Sequence, residues 1–239
     1  MSELADLYAV QLSDIAIAQS KHRLSHLPEI ELHTSTKNDV VAITKSLDET
    51  VARGASARKE ITELEAAGHA NDAAIARLNK QLKTVIAPRE AEALQHEIAT
   101  CTEQRSHLDD RELELMELVD LCESEEVQVS SQLVHAKQLH VAAAETLAAA
   151  QRLENENLER LVQQRSAQAL VVPASLLNTY EAKRKHRPDG AIAKLSGPTC
   201  GACHLDIAQG EISALRALPE TERPECPHCG CFIFFDVGY

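Results

Sequence analysis

From Val40 onward, apolar side chains recur at alternating steps of three and four residues, the period of a helix face laid along a second helix. Val40, Ile43, Leu47, Thr50, Gly54, Ala57, Ile61, Leu64, Gly68, Asn71, Ile75, Leu78, Leu82 and Val85 form one seam, and ten of these fourteen positions are apolar. Gly54 and Gly68 stand two heptads apart on it. Each either weakens the helix by ~1 kcal/mol relative to Ala or lets a partner helix approach closely. Pro88, following Val85-Ile-Ala87, interrupts the pattern, so Thr84–Glu90 is where the chain is expected to reverse.

Beyond the interruption the same alternation resumes at Leu94, Ile98, Cys101, Leu108, Leu115, Val119 and Cys122, and continues through Leu133, Ala136, Ala143, Leu147, Ala150 and Leu161 to Val171. Arg105, Glu112, Glu126, His140 and Glu154 interrupt this second seam and need polar partners or water there. Residues 3–84 and 89–170 each number 82. At the α-helical rise two such arms would each reach ~120 Å and could zip together along their length. The reading is an antiparallel coiled-coil hairpin over residues 1–170, with a kink near Pro28 and a tip near 84–90. A parallel coiled coil between two chains is the alternative; it leaves Pro88 and the equal arms as coincidences. The first stretch, residues 3–27, is helical in character but irregular in spacing, and its packing partner is open. Cys101 and Cys122 lie three heptads apart on one helix, too far to bridge, and read as small buried apolar residues.

Composition changes near residue 170. Up to that point Tyr8 is the one aromatic residue, whereas six of the eight Gly and six of the eight Pro lie from Pro173 onward. Charge divides at the same place: residues 1–170 hold 29 acidic and 17 basic side chains, residues 171–239 hold 8 and 7. An acidic rod repels phosphate and is a poor track for nucleic acid. Residues 171–239 read as a linker helix and a small cysteine-bearing domain.

That domain carries Cys200-Gly-Ala-Cys203 and Cys226-Pro-His-Cys229. Two C-x2-C pairs separated by 22 residues can fill the tetrahedral shell of one Zn²⁺. Unpaired or disulfide-bonded thiols are the competing reading. Gly230 follows the second pair, where a tight knuckle needs positive φ, and Pro227 stiffens the turn. Four thiolates leave no open coordination position, so the expected zinc is structural, and a domain of this size depends on it for folding. His204, His228 and a fifth thiol, Cys231, adjoin the knuckles. Any of them could replace a missing ligand, and Cys231 could instead be a surface thiol open to oxidation.

Between the two parts, Pro173 opens a short helix through Tyr180 and Glu181. Lys183-Arg-Lys-His-Arg187 follows, the one dense basic cluster of the chain. Lys183, Arg184, Lys185 and Arg187 are candidate contacts to nucleic acid or an acidic partner, or simply a solvated helix end. Ala191–Leu195 and Cys231–Val237 read as strands, Glu211–Leu218 as a helical turn. No phosphate-binding loop, dinucleotide fingerprint, HExxH or plausible triad is present, and nothing argues for an enzyme. The acidic opening lacks a secretory h-region, no apolar run approaches bilayer length, and reduced C-x2-C pairs fit the cytoplasm.

Leu94-Gln-His-Glu-Ile98, Leu108-Asp-Asp110, Leu113-Glu-Leu-Met-Glu117, Tyr180-Glu181, Gly190, Cys200/Cys203, Leu218 and Cys226-Pro-His-Cys-Gly230 together resemble a bacterial family of coiled-coil hairpins ending in a four-cysteine zinc ribbon. Its members are often labelled predicted nucleic-acid-binding zinc-ribbon proteins. The family commonly has Arg after CxxCG, where this chain has Cys231. The resemblance implies the hairpin and the zinc. In some flagellate and chlamydial relatives it implies binding of an alternative sigma factor and of flagellar or type III export components, and in one class binding of messenger RNA. The function expected here is a non-enzymatic adaptor that docks a protein partner through the acidic hairpin and the ribbon, in transcription or secretion regulation. Nucleic-acid binding through the ribbon and the basic cluster is the alternative.

Overall fold

The computed structural model describes residues 3–219 and 222–235. Its elements are helices α1 (Glu3–Ser25), α2 (Pro28–Leu82), α3 (Pro88–Ala169) and α4 (Ala174–His186), strands β1 (Ile192–Ser196) and β2 (Thr199–Cys200), helix α5 (Gln209–Arg216) and strand β3 (Phe232–Phe234). The helices break at His26–Leu27, and Pro28 opens α2. Pro88 likewise takes the first position of α3, where a missing N–H costs nothing. Residues 83–87 form the tip, closed by Thr84 N–H and Val85 N–H donating to Gln81 O. The chain divides into two compact units, Leu32–Ala144 and Met1–Glu31 with Glu145–Tyr239.

In the first unit α2 runs antiparallel to α3. All fourteen seam positions from Val40 to Val85 are buried or half-buried, as are their counterparts on α3 from Leu94 to Ala143. The pairing is intramolecular: Arg58 Nη2 meets Glu123 Oε1 at 2.7 Å, Arg111 Nη2 meets Glu60 Oε1 at 3.0 Å, and Asn71 Nδ2 donates to Cys101 O at 3.0 Å. Ion pairs this exposed are screened by water and add little adhesion, so the apolar seam provides the adhesion and the charges set register. Both seam glycines admit a close neighbour. A Cβ on Gly54 would lie 3.3 Å from Cys122 Cβ, and one on Gly68 would lie 2.5 Å from Arg105 Nη1. Arg105 thus fills the space that Gly68 leaves, held there by Asp72 and Asp109. His140, another interruption, sits 3.2 Å from Thr36 Oγ1 and against the His33 ring. Cys122 is buried and Cys101 half-buried, both as free thiols.

The second unit joins α1, the end of α3, α4 and a three-stranded sheet of order β2-β1-β3. Strands β1 and β2 pair antiparallel (Leu195 opposite Cys200), and β1 and β3 pair parallel (Ile192 opposite Phe232). Because strand side chains alternate between faces, the sheet serves two cores. Ile192 and Phe232 join Leu7, Val10, Leu176 and Tyr180 on the helix side. Ala193, Leu195 and Ile233 face the cysteines with Ile207 and Ile212.

Helix α1 explains its own irregular spacing, because it has two partners. Leu7, Val10, Gln11 and Asp14 face α4 and the sheet, while Ser13 and Ser20 donate to Gln168 Oε1 (2.7 Å) and Glu154 Oε1 (2.6 Å) on α3. Glu154, an interruption of the seam, gains Arg23 as well, and these hydrogen bonds, the one from Ser20 foremost, hold its carboxyl below the usual range.

Three expectations need correction. The α3 seam ends one residue out of phase: Val171 is 68% exposed and Val172 takes the buried place, because after Leu161 the covered positions fall at Arg165, Gln168 and Val172. The helix after Pro173 continues to His186, so the basic residues form its last turn, where the helix dipole favours cations. The closing strand is Phe232–Phe234, shorter than Cys231–Val237 at both ends; Asp236 and Val237 lie outside the described residues.

Candidate metal centre

The two C-x2-C segments fold alike. In each, the first cysteine donates its N–H to the carbonyl five residues on, Cys200 to Leu205 O at 3.0 Å and Cys226 to Cys231 O at 2.8 Å. In each, the residue four positions on donates back to the first cysteine's carbonyl, His204 and Gly230 both at 2.8 Å. Those two residues share a left-handed backbone, φ 59° and φ 71°. Positive φ at Gly230 follows from the sequence. The same demand at His204 was legible only by laying one knuckle over the other, since nothing in a histidine announces it.

The turns aim four sulfurs at one point. The Sγ atoms of Cys200, Cys203, Cys226 and Cys229 all lie within 4.8 Å of one another. Cys200 and Cys229 are 4.0 Å apart, and Cys203 and Cys226 are 3.8 Å apart. A tetrahedron with ~2.3 Å metal–sulfur bonds has edges of about 3.8 Å. The thiol set therefore suits a single tetrahedral, thiophilic ion once its widest pairs draw in, and these four residues would hold it.

The protonation chemistry is uneven. Burial raises the Cys200 thiol, but the backbone N–H groups of Cys203 and Ala202 outweigh it and bring the pKa to about 7. Burial dominates at Cys226, which is pushed up to about 12 against the N–H groups of Cys229 and His228. Backbone donors pointed at sulfur in both knuckles are what a thiolate ligand needs.

The three neighbours separate clearly. His204 is exposed, and His228 is exposed with Nε2 3.1 Å from Asp206 O. Cys231 is no surface thiol: it is 1% exposed, with Sγ 3.6 Å from Cys200 Sγ and 3.4 Å from Cys229 Sγ.

The basic cluster is divided. Lys183 Nζ donates to Gly230 O at 2.7 Å, meets Glu225 Oε1 at 2.9 Å and lies 4.8 Å from the Phe232 ring centroid. It fastens α4 to the second knuckle. Arg184 reaches Asp14 Oδ1 at 3.2 Å and Glu181 Oε2 at 3.5 Å. Lys185 and Arg187 are exposed.

Two polar residues of α1 complete the mounting, and sequence reasoning missed both. Gln11 behaves as a short extra strand against β1: Nε2 donates to Asp189 O (3.0 Å) and Ile192 O (2.7 Å), and Oε1 accepts from Ile192 N at 2.8 Å. Asp14, 4% exposed, accepts from Tyr180 Oη at 2.8 Å and from Arg165 Nε at 3.2 Å. Burial and the Asp14 carboxylate push the Tyr180 hydroxyl far up. The available signal was polar residues at four and seven positions from Leu7, on the face a helix would bury.

Fold and cysteine site together define a helical coiled-coil hairpin carrying a four-cysteine ribbon. The family described as the CT398-like coiled coil hairpin domain matches residues 10–188, and the chain belongs to that family. Rv2229c of Mycobacterium tuberculosis, an uncharacterized protein, is 29% identical over 245 residues, covering 95% of this chain and 92% of that protein. Among solved structures, CT398 from Chlamydia trachomatis superposes with a TM-score of 0.81 at 18% identity, covering 98% of each chain. HP0958 from Helicobacter pylori gives 0.58 at 14% identity, covering 98% of this chain and 97% of that one. These structural likenesses are likenesses of fold. Among the described residues no helix is long and apolar enough to cross a membrane.

Proposed function

We propose that the protein is a non-enzymatic adaptor whose hairpin docks a protein partner, with the ribbon folded around one structural Zn²⁺. The observation that carries the docking surface is a second apolar line on α3, outside the seam. Val127, Val134 and Val141 recur at heptad spacing and are 73%, 58% and 56% exposed. Just before them, residues 109–126 hold nine acidic side chains against one basic. A helix with an apolar stripe and a basic flank complements that surface in both respects. For the metal, the support is the tetrahedral spacing of four sulfurs and the backbone donors behind them. A closed four-thiolate shell offers no position for a substrate, which agrees with a structural role.

The nucleic-acid alternative draws on the basic cluster, and half of that cluster is engaged within the chain. Lys183 and Arg184 serve the ribbon and Asp14, leaving Lys185 and Arg187 exposed. Two cations support only a shallow salt dependence of binding.

The test is affinity capture from native cells with three baits. The wild type and a Lys185→Ala/Arg187→Ala variant should retain the same protein partner, and a Val127→Ser/Val134→Ser/Val141→Ser variant of unchanged helicity should lose it. Retention by the valine variant, with loss of bound RNA or DNA from the lysine–arginine variant, would reverse the preference.

A further inference from the structure

We infer that the metal centre is a five-thiol site in which Cys231 is a reserve ligand, able to take the coordination position of Cys229 or Cys200. This rests on the zinc reading above. Three observations carry it. Cys231 Sγ lies closer to Cys229 Sγ (3.4 Å) and Cys200 Sγ (3.6 Å) than those two lie to each other (4.0 Å). The three sulfurs therefore form a triangle along one edge of the ligand set. The side chain is buried, in the same cluster as Cys200 and Cys226. And the segment that carries it is anchored on both sides: Cys231 O accepts from Cys226 N, Gly230 N donates to Cys226 O, and Phe232 N donates to Ala191 O. A thiol placed this way needs only a side-chain rotation and a small shift of the ion to enter the shell, while the knuckle backbone stays put.

With all four pair cysteines present, Cys231 stays outside the shell, beside Cys200 and Cys229. When Cys229 or Cys200 is removed or blocked, the vacated position is filled by sulfur from within the core, and the ion keeps a four-sulfur shell. Among the described residues Cys203 and Cys226 have no such substitute: His204 and His228 are exposed, and His228 is engaged by Asp206 O.

The test uses the full-length protein, with zinc per chain measured by native mass spectrometry and coordination read from the visible spectrum of the Co²⁺-substituted form. Wild type, Cys231→Ala, Cys229→Ser and Cys200→Ser should each hold one ion with a four-sulfur spectrum, the serine variants within about tenfold of wild-type affinity. Cys229→Ser/Cys231→Ala and Cys200→Ser/Cys231→Ala should fall well below that. Cys226→Ser should lose the four-sulfur spectrum although Cys231 is present. Loss of the ion, or a three-sulfur spectrum, in Cys229→Ser and Cys200→Ser overturns the reserve role and leaves the zinc reading intact. A wild-type protein folded at residues 191–235 and empty of metal overturns both.

Discussion

At residue scale, the positions that tolerate least are those where backbone meets backbone or charge is buried. A Cβ on Gly201 would stand 2.7 Å from Lys194 O, the carbonyl to which Gly201 N–H itself donates. Gly201→Ala must push β1 from the first knuckle, at about 1–3 kcal/mol by analogy with overpacking, and faster hydrogen exchange across 191–205 is the measurement. His204→Gly works in the opposite sense. It relieves a left-handed non-glycine residue worth ~1–2 kcal/mol and should slow exchange over the same segment. Asp14 answers two guanidinium groups and a phenol from inside the fold. Asp14→Ala leaves Arg165 and Arg184 with Glu181 alone and the buried Tyr180 hydroxyl without its acceptor, a loss of about 1–3 kcal/mol for an unsatisfied buried group, seen as a lowered urea midpoint for the unit that contains α4. The gathering of the four pair cysteines was legible in the sequence, because two C-x2-C turns brought together can aim four thiols at one point. Gln11 and Asp14 were not, because their partners lie more than 150 residues away and no local pattern encodes them.

At the scale of elements, heptad periodicity located α2 and α3 closely, since a repeated apolar step admits one helical face. Where the seam gives way to mixed partners, at α1 and after Leu161, the periodic reading lost either partner or phase. The glycines show the difference between pattern and packing. Spacing alone left weakness and close approach equally open; the neighbours decide for close approach. They also predict unequal outcomes. At Gly68 the obstacle is the mobile end of Arg105, so Gly68→Ala should gain most of the ~1 kcal/mol helix-propensity difference as Arg105 swings outward. At Gly54 the obstacle is Cys122 Cβ, fixed to the opposite helix, so Gly54→Ala should gain less or lose stability. Thermal melting of the two variants side by side, followed by circular dichroism at a helical band, ranks them.

At the scale of the whole molecule, the two compact units differ in what holds them. Leu32–Ala144 rests on its seam and the polar pairs that flank it, whereas the unit with the ribbon is the one proposed to fold around Zn²⁺. Strong chelation, or acid that protonates the thiolates, should therefore raise hydrogen exchange over residues 191–235 while exchange over 40–140 stays slow. Uniform loss of protection would mean that the proposed metal supports the hairpin too. The grip of Gln11 on Ile192 carries one more consequence, for the order of events at the ribosome. The glutamine and the strand it binds are 181 residues apart, so at ordinary elongation rates α1 waits roughly 10–40 s for its partners to be synthesised. Throughout that interval Leu7 and Val10 have no sheet to cover them. Translation halted before Ile192 leaves a greasy, unfinished helix on display, a mark by which chaperones and proteases can tell an incomplete copy from a finished one.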